Sequence, residues 1–301
     1  MTVFDRRAVR RHRDRAARSL ERHDFLFKEV AERLADRLDD VTRRFPVALD
    51  LGCHGGTLAT TLRGRGGIES LVQCDLSPAM ANVAAGNGRP TLVADEEALP
   101  FAPARFDAVL GVLSLHWVND LPGALIQIRQ ALRPDGLFLA AMLGGETLRE
   151  LRAALMEAEI AEEGGAGPRV SPFADARDAG HLLQRAGFAL PVVDVDTITV
   201  TYPNALALMR ELRGMGESNA VEERRRGASR RATLLRAAAI YEAGFAGEDG
   251  RLPATFQVIM LTAWAPHASQ QKALAPGSAA ARLADALDTT EVPTGDKARP
   301  K

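Results

Sequence analysis

The sequence predicts an α/β protein with a parallel sheet covered by helices on both faces. Three observations carry this reading. Strand-length runs that are apolar on both faces alternate with helix-length stretches. The first of these runs, 47–51, leads directly into the glycine-rich loop Gly52-Cys53-His54-Gly55-Gly56. The next two runs end in acids, Asp75 and Asp95. Strand, glycine loop and helix in succession is how such a sheet brings its backbone close to a nucleotide-like ligand.

The elements follow in order. Arg6, Arg7, Arg10, Arg11, Arg13, Arg15, Arg18 and Arg22 make residues 1–45 start basic, diluted by Asp5, Asp14 and Glu21. Such a run reads either as a solvated helix with ion pairs at helical spacing or as an arm that closes over a site or meets an acidic partner. A second helix spans about 24–40, with Phe25, Phe27, Val30, Ala31 and Leu34 on its apolar face. Strand one is 47–51, strand two 71–74, strand three 91–94 and strand four 106–112. Ser77-Pro78 is an N-cap followed by a first-turn proline, and Asp120 with Pro122 opens a helix running through Ala131. Pro134-Asp135-Gly136 turns into strand five, 137–142. A helix marked by Leu148, Leu151 and Leu155 and a short helix over 180–186, stopped by Gly187, precede strand six, 192–202. Strand seven is 255–264, and the stretch 203–250 before it is a helical insertion with a second basic cluster at Arg224, Arg225, Arg226, Arg230 and Arg231. These boundaries give a main domain over 46–268 and a disordered tail over 269–301, rich in Ala, Pro, Gly and charge.

Composition narrows the classes. The 301 residues are 46% hydrophobic and 26% charged, as expected of a globular chain. The net charge of −1 gives no reason to expect nucleic acid. Cys53 and Cys74 fall at buried strand ends and build neither a disulfide framework nor a zinc spacing, which suits a reducing compartment. No apolar run approaches a bilayer span and the N-terminus lacks a signal-peptide core, so the expected location is the cytoplasm, with peripheral contact at the inner membrane left open.

The chemistry gathers at the carboxyl ends of strands one to four, where an open α/β sheet binds its ligand. Asp50 and the loop glycines come from strand one, Asp75 and Leu76 from strand two, Asp95 and Glu96 from strand three, and Ser114-Leu115-His116-Trp117 from strand four. An acid after strand two can accept two ribose hydroxyls, and one after strand three an exocyclic amine, so the set suits adenosine. The loop does not match the dinucleotide pattern. It resembles the D-x-G-x-G-x-G loop of class I S-adenosylmethionine methyltransferases, with Asp50, Gly52 and Gly56 matching and His54 standing where the middle glycine belongs. Asp75, the 95–101 segment and Phe106-Asp107 are similar to that class too. The resemblance implies a seven-stranded, Rossmann-like sheet and S-adenosyl-L-methionine as cofactor, with Asp50, Gly52, His54, Gly56, Asp75, Leu76, Asp95, Glu96 and Ser114 as its contacts.

A narrower resemblance runs through residues 113–122, 142–148, 180–183, 185–188, 214–219 and 253–255, and the Phe4-Asp5-Arg6 start. These resemble the methyltransferase-fold assembly factors of respiratory complex I, known in mitochondria as protein arginine hydroxylases. That family implies a protein substrate, an iron–sulfur subunit of complex I. A cousin with similar architecture is the malonyl-acyl-carrier-protein O-methyltransferase of biotin synthesis, whose acidic carrier would meet the basic clusters. A non-enzymatic assembly chaperone is the third reading.

Individual residues keep alternatives. His54 either holds a turn at positive φ or narrows the pocket with its imidazole. His116 is available as a general base, and Tyr202 as a pocket hydroxyl, so both are the catalytic candidates. Trp117, Ser218 and Asn219 are candidate substrate contacts, Trp117 as a pocket wall and the other two on a lid. Only His12-Arg13-Asp14 among the six histidines has H-x-D spacing, and it reads as chance, so no metal site is expected. Methyl transfer needs mainly alignment, because the sulfonium is already activated. Hydroxylation enters through the resemblance alone.

Overall fold

Leu49 and its neighbours in the sheet show how the core is divided. Leu49, Val109 and Phe138 are buried together with Leu125, Ile128 and Leu183 on one face. The adjacent Ala48, Leu110 and Leu139 are buried with Phe27, Leu34 and Ala154 on the other. Alternate residues therefore serve opposite cores, as period-two geometry demands of a sheet covered on both sides. The computed structural model describes residues 2–271, 278, 281–290 and 292.

The chain divides into two units, Met1–His267 and Ala268–Lys301. In the first, α1 is Arg6–Ala16, α2 Phe25–Asp39, β1 Val47–Leu51, α3 Thr57–Leu62, β2 Ser70–Asp75, α4 Pro78–Ala85, β3 Thr91–Val93 and β4 Phe106–Val112. Then come α5 Leu121–Ala131, β5 Leu132–Leu143, α6 Arg149–Glu163, α7 Ala176–Arg185, β6 Ala189–Tyr202, α8 Ala205–Met215, α9 Arg231–Phe245 and β7 Leu252–Trp264. The sheet order is β3-β2-β1-β4-β5-β7-β6. The first five strands are parallel, and β7 runs antiparallel between β5 and β6. β1 lies centrally between β2 and β4, where strand order reverses, so the glycine loop and the ends of β2 and β4 converge.

Most expected elements stand where the sequence put them, and the departures have local causes. The basic segment and α2 are not separate from the main domain, because α2 buries Leu26, Phe27, Val30 and Leu34 in its core. Phe25, expected on that apolar face, is exposed at the first turn. β5 begins at Leu132 rather than 137, since Leu132 pairs with Phe106 before Asp135 turns the strand at φ 64°. α7 begins at Ala176 because the Asp175 side chain caps Arg177 N. The insertion between β6 and β7 carries α8 and α9, as expected. The expected disordered tail lies mostly outside the described residues; those described include a helical turn, Leu283–Ala286.

The sharp exit from β1 depends on Gly52. Its φ is 71°, and a Cβ there would stand 2.2 Å from Ser114 Cβ. Gly52→Ala is predicted to lower stability by roughly 3 kcal/mol, combining left-handed strain with overpacking. Gly165→Ala, with open space around it, should stay within about 0.5 kcal/mol. Urea melts of the two variants check this.

Candidate active site

The loop after β1 is held by backbone bonds. Gly52 N and Cys53 N both donate to Cys74 O at 2.9 Å, and Gly56 N closes a turn on Cys53 O at 2.8 Å. Gly56 sits at φ 82° and His54 at φ 48°. His54 thus adopts the turn conformation, and its ring also fills the space beneath the end of β4. Its Nε2 lies 3.1 Å from both Val112 O and Leu113 O, so the proton on that nitrogen is shared between two carbonyls. Phe27 of α2 backs the imidazole at a 4.4 Å centroid distance. Burial, then the nearby Arg13, lower the His54 pKa, which keeps the ring neutral. Ser114 donates to Leu51 O at 3.1 Å and locks the loop against β4.

Asp75 orients the same loop. Its Oδ2 accepts His54 N at 3.1 Å and its Oδ1 accepts Ser77 N at 2.7 Å. Leu76, beside it, packs against the cluster that holds Phe4, Ala8 and Val9. Asp95 Oδ1 accepts Glu97 N at 2.9 Å. Glu96 is buried, and together these groups form the acid edge that the sequence placed here.

The guanidinium groups of α1 reach into that edge. Arg13, 1% exposed, donates from Nη1 to both Asp75 oxygens at 3.4 Å and to Glu96 Oε1 at 3.2 Å. Arg6 donates to Asp95 at 2.5 Å, to Glu96 Oε2, and to Trp117 O at 3.2 Å. Burial alone would lower the Arg13 pKa, but Asp75 and Glu96 outweigh it and raise it. Burial would likewise raise that of Glu96, but Arg13 and then Arg6 pull it down. The segment is therefore an arm over a site at Arg6 and Arg13, while Arg7, Arg10 and Arg11 form its remaining polar surface. The signal available was spacing: Val9, Arg13 and Ala16 lie on one buried stripe.

A second cluster lies between β4 and the loop after α8. His116 Nε2 and Trp117 Nε1 converge on Glu217 Oε2 at 3.0 and 2.9 Å. Leu143 N donates to His116 Nδ1 at 3.5 Å, so both ring nitrogens are engaged. In this conformation His116, which the sequence offers as a general base, holds Glu217 in place. Burial would raise the Glu217 pKa, but His116 and then Arg13 lower it, and Glu217 Oε1 has no partner. Glu217 was missed in the sequence, although two neighbouring donors, His116 and Trp117, needed an acceptor.

Trp117, Glu217, Ser218 and Asn219 line a cavity of about 520 Å³ together with Phe173 and residues of α6. Ser218 accepts His12 Nδ1 on its carbonyl at 3.1 Å and Arg15 on its hydroxyl at 3.2 Å. Asn219 ties the loop down, donating to Pro168 O at 2.6 Å and accepting from Val221 N at 3.0 Å. Tyr202 does not join them. It ends the edge strand β6, buried in the core that holds Ala205 and Leu208, with its hydroxyl unpartnered. The strand order places two strands, β5 and β7, between it and β4, and Tyr202 is not among the residues that line the cavity. Among the described residues no group of three His, Cys, Asp or Glu is placed to hold a metal ion.

Comparison with known proteins decides among the families. A methyltransferase domain matches residues 49–140. Over 289 residues the chain is 47% identical to the mitochondrial arginine-hydroxylase NDUFAF5 of Danio rerio, covering 95% of this chain and 89% of that protein. The chain belongs to the NDUFAF5 family of methyltransferase-fold enzymes. The malonyl-[acyl-carrier protein] O-methyltransferase of Methylovorus sp. is similar as well, at 36% identity over 277 residues, 88% of this chain and 91% of that enzyme. Among solved structures, phosphoethanolamine N-methyltransferase 2 of Haemonchus contortus, bound to S-adenosylhomocysteine, has the same fold, with a TM-score of 0.52, 16% identity, and coverage of 86% of this chain and 60% of that one.

In this NDUFAF5 relative Asp50 is buried with both carboxylate oxygens unpartnered. Burial, then the neighbouring Asp75, push its pKa up to about 8. A raised folded-state value stabilises the protein below the unfolded pKa of about 4, and that stability is lost as pH rises through about 8. Asp50→Asn removes the titration. Its stability relative to wild type should therefore increase between pH 5 and pH 8, by about 2 kcal/mol or more, in paired urea melts; an unchanged difference would mean that Asp50 ionises freely.

Proposed function

We propose that this enzyme acts on an arginine side chain of a protein partner during assembly of respiratory complex I. The observation that carries the reading is Glu217. Its pKa is lowered, its Oε1 is buried without a partner, and it lines the cavity together with Trp117 and Phe173. A buried carboxylate with an unused acceptor in a cavity that also holds aromatic rings suits a guanidinium, which binds oxygen through its edge and rings through its plane. The arginine rim does not oppose this, because most of its charge is paired. Arg169 is bound to Glu159, Arg224 to Asp5, Arg225 to Glu163 and Arg226 to Glu222. Arg15 and Arg213 are left to meet acidic residues that flank the target.

The cofactor read from the fold is S-adenosyl-L-methionine, which when bound supplies an activated methyl group. The donor set suits its adenosine: Asp75 for the ribose, Glu96 and Asp95 for the base, and the Gly52 and Gly56 backbone for close approach. In this conformation Arg13 and His54 stand in that space, so entry requires side-chain movement. The partner implied by the resemblance is an iron–sulfur subunit of complex I. Among the described residues no helix is long and apolar enough to cross a membrane, and the reading places the protein in the cytoplasm with peripheral access to the inner membrane.

Deleting the gene tests this. The expected result is lost complex I activity and an iron–sulfur subunit whose arginine lacks 16 mass units by mass spectrometry, an oxygen atom whose insertion draws on dioxygen and a reductant from outside the chain. A gene carrying Glu217→Gln should fail to restore that mass. A missing 14 units would mean methyl transfer. Biotin auxotrophy with unchanged subunits would mean the carrier-protein enzyme, and lost complex I with unchanged masses a chaperone.

A further inference from the structure

We propose that α1 is a built-in competitor of the adenosyl cofactor: it holds the acid edge through Arg13 and Arg6 and must swing out, together with the loop 216–222, before the cofactor enters. The proposal rests on the cofactor reading given above.

Counting acceptors makes the case. A carboxylate offers about four lone-pair sites. Asp75 already receives Ser77 N, His54 N and Arg13 Nη1 on both of its oxygens. Two ribose hydroxyls cannot be added without removing Arg13. Glu96 is engaged by the same helix on both oxygens, Oε1 by Arg13 and Oε2 by Arg6. Leu76, a cofactor contact by resemblance, packs against the cluster of Phe4, Ala8 and Val9.

The seat of α1 is nevertheless imperfect. The Arg13 bonds are long, at 3.2 to 3.4 Å, and its Nε and Nη2 are buried without partners. An incompletely satisfied buried cation lowers the cost of leaving. One anchor outside the acid edge is Asp14, which accepts Ser77 Oγ at 2.5 Å.

The same helix is tied to the cavity loop. Asp5 N donates to Ala220 O and Glu222 N to Val3 O, both at 2.8 Å. Arg224 pairs with Asp5 at 2.9 Å, and Ser218 receives both His12 and Arg15. Withdrawing α1 therefore loosens the wall that carries Glu217. α2 stays behind, buried in the core, and residues 17–24 join the two helices. One movement opens the cofactor cleft and the cavity wall together.

Hydrogen exchange on the full chain with and without millimolar S-adenosylmethionine tests the coupling. The expected result is faster exchange over residues 6–17 and slower exchange over 52–62 when cofactor is present. In calorimetric titrations Arg13→Ala should bind the cofactor roughly tenfold or more tightly than wild type. Asp14→Ala, which leaves the acid edge intact, should shift affinity in the same direction and guards against a misfolded Arg13 variant. If cofactor slows exchange in 6–17 and neither substitution improves affinity, α1 is part of the cofactor's roof; the gate is then overturned while the cofactor reading stands. If wild type and both variants show no binding, the cofactor reading fails and the gate with it.

Discussion

A guanidinium buried among carboxylates organises this molecule. Arg13 can be taken out of water only because Asp75 and Glu96 meet it, and those acids can lie inside only because Arg13 and Arg6 meet them. Removing one member leaves an uncompensated buried charge, which costs about 3–5 kcal/mol. The position of α1 follows from this arrangement, and through α1 so does the seating of the cavity loop. Asp50, one strand away, is buried beside Asp75, and its pKa rises, with Arg89 opposing the rise only in part.

The second polar cluster is organised differently. Glu217 is fixed by His116 and Trp117 through Oε2, which leaves its buried Oε1 without a partner. A group that is charged, desolvated and oriented before a substrate arrives can position a cation with little reorganisation. Arg13 bears on both clusters, since it touches Asp75 and Glu96 and also lowers the Glu217 pKa. Acid edge and cavity are thus linked through one side chain and the helix that carries it.

Much of the fold was legible because local signals agreed. The apolar run into Gly52, the Ser77-Pro78 cap and the Asp120 cap each named an element, and the structure has them there. The start of β5 was hidden because Pro134-Asp135-Gly136 reads as a turn, whereas strand pairing begins before it. The acids at the ends of β2 and β3 were legible from topology. Arg13 was not, because eight arginines in one stretch look alike until a partner selects one of them. His116 looked like a base because a sequence shows an imidazole but not that both of its nitrogens are taken. Tyr202 was placed at a strand end, yet strand order put that strand at the sheet's edge.

The central claim is that Arg13 and the acid edge stabilise one another in the folded protein. A double-mutant cycle with Arg13→Gln and Glu96→Gln, read by urea denaturation, measures that coupling. The account predicts an interaction of about 2 kcal/mol or more. A coupling near zero would contradict it, since the two side chains would then be independent in the folded state.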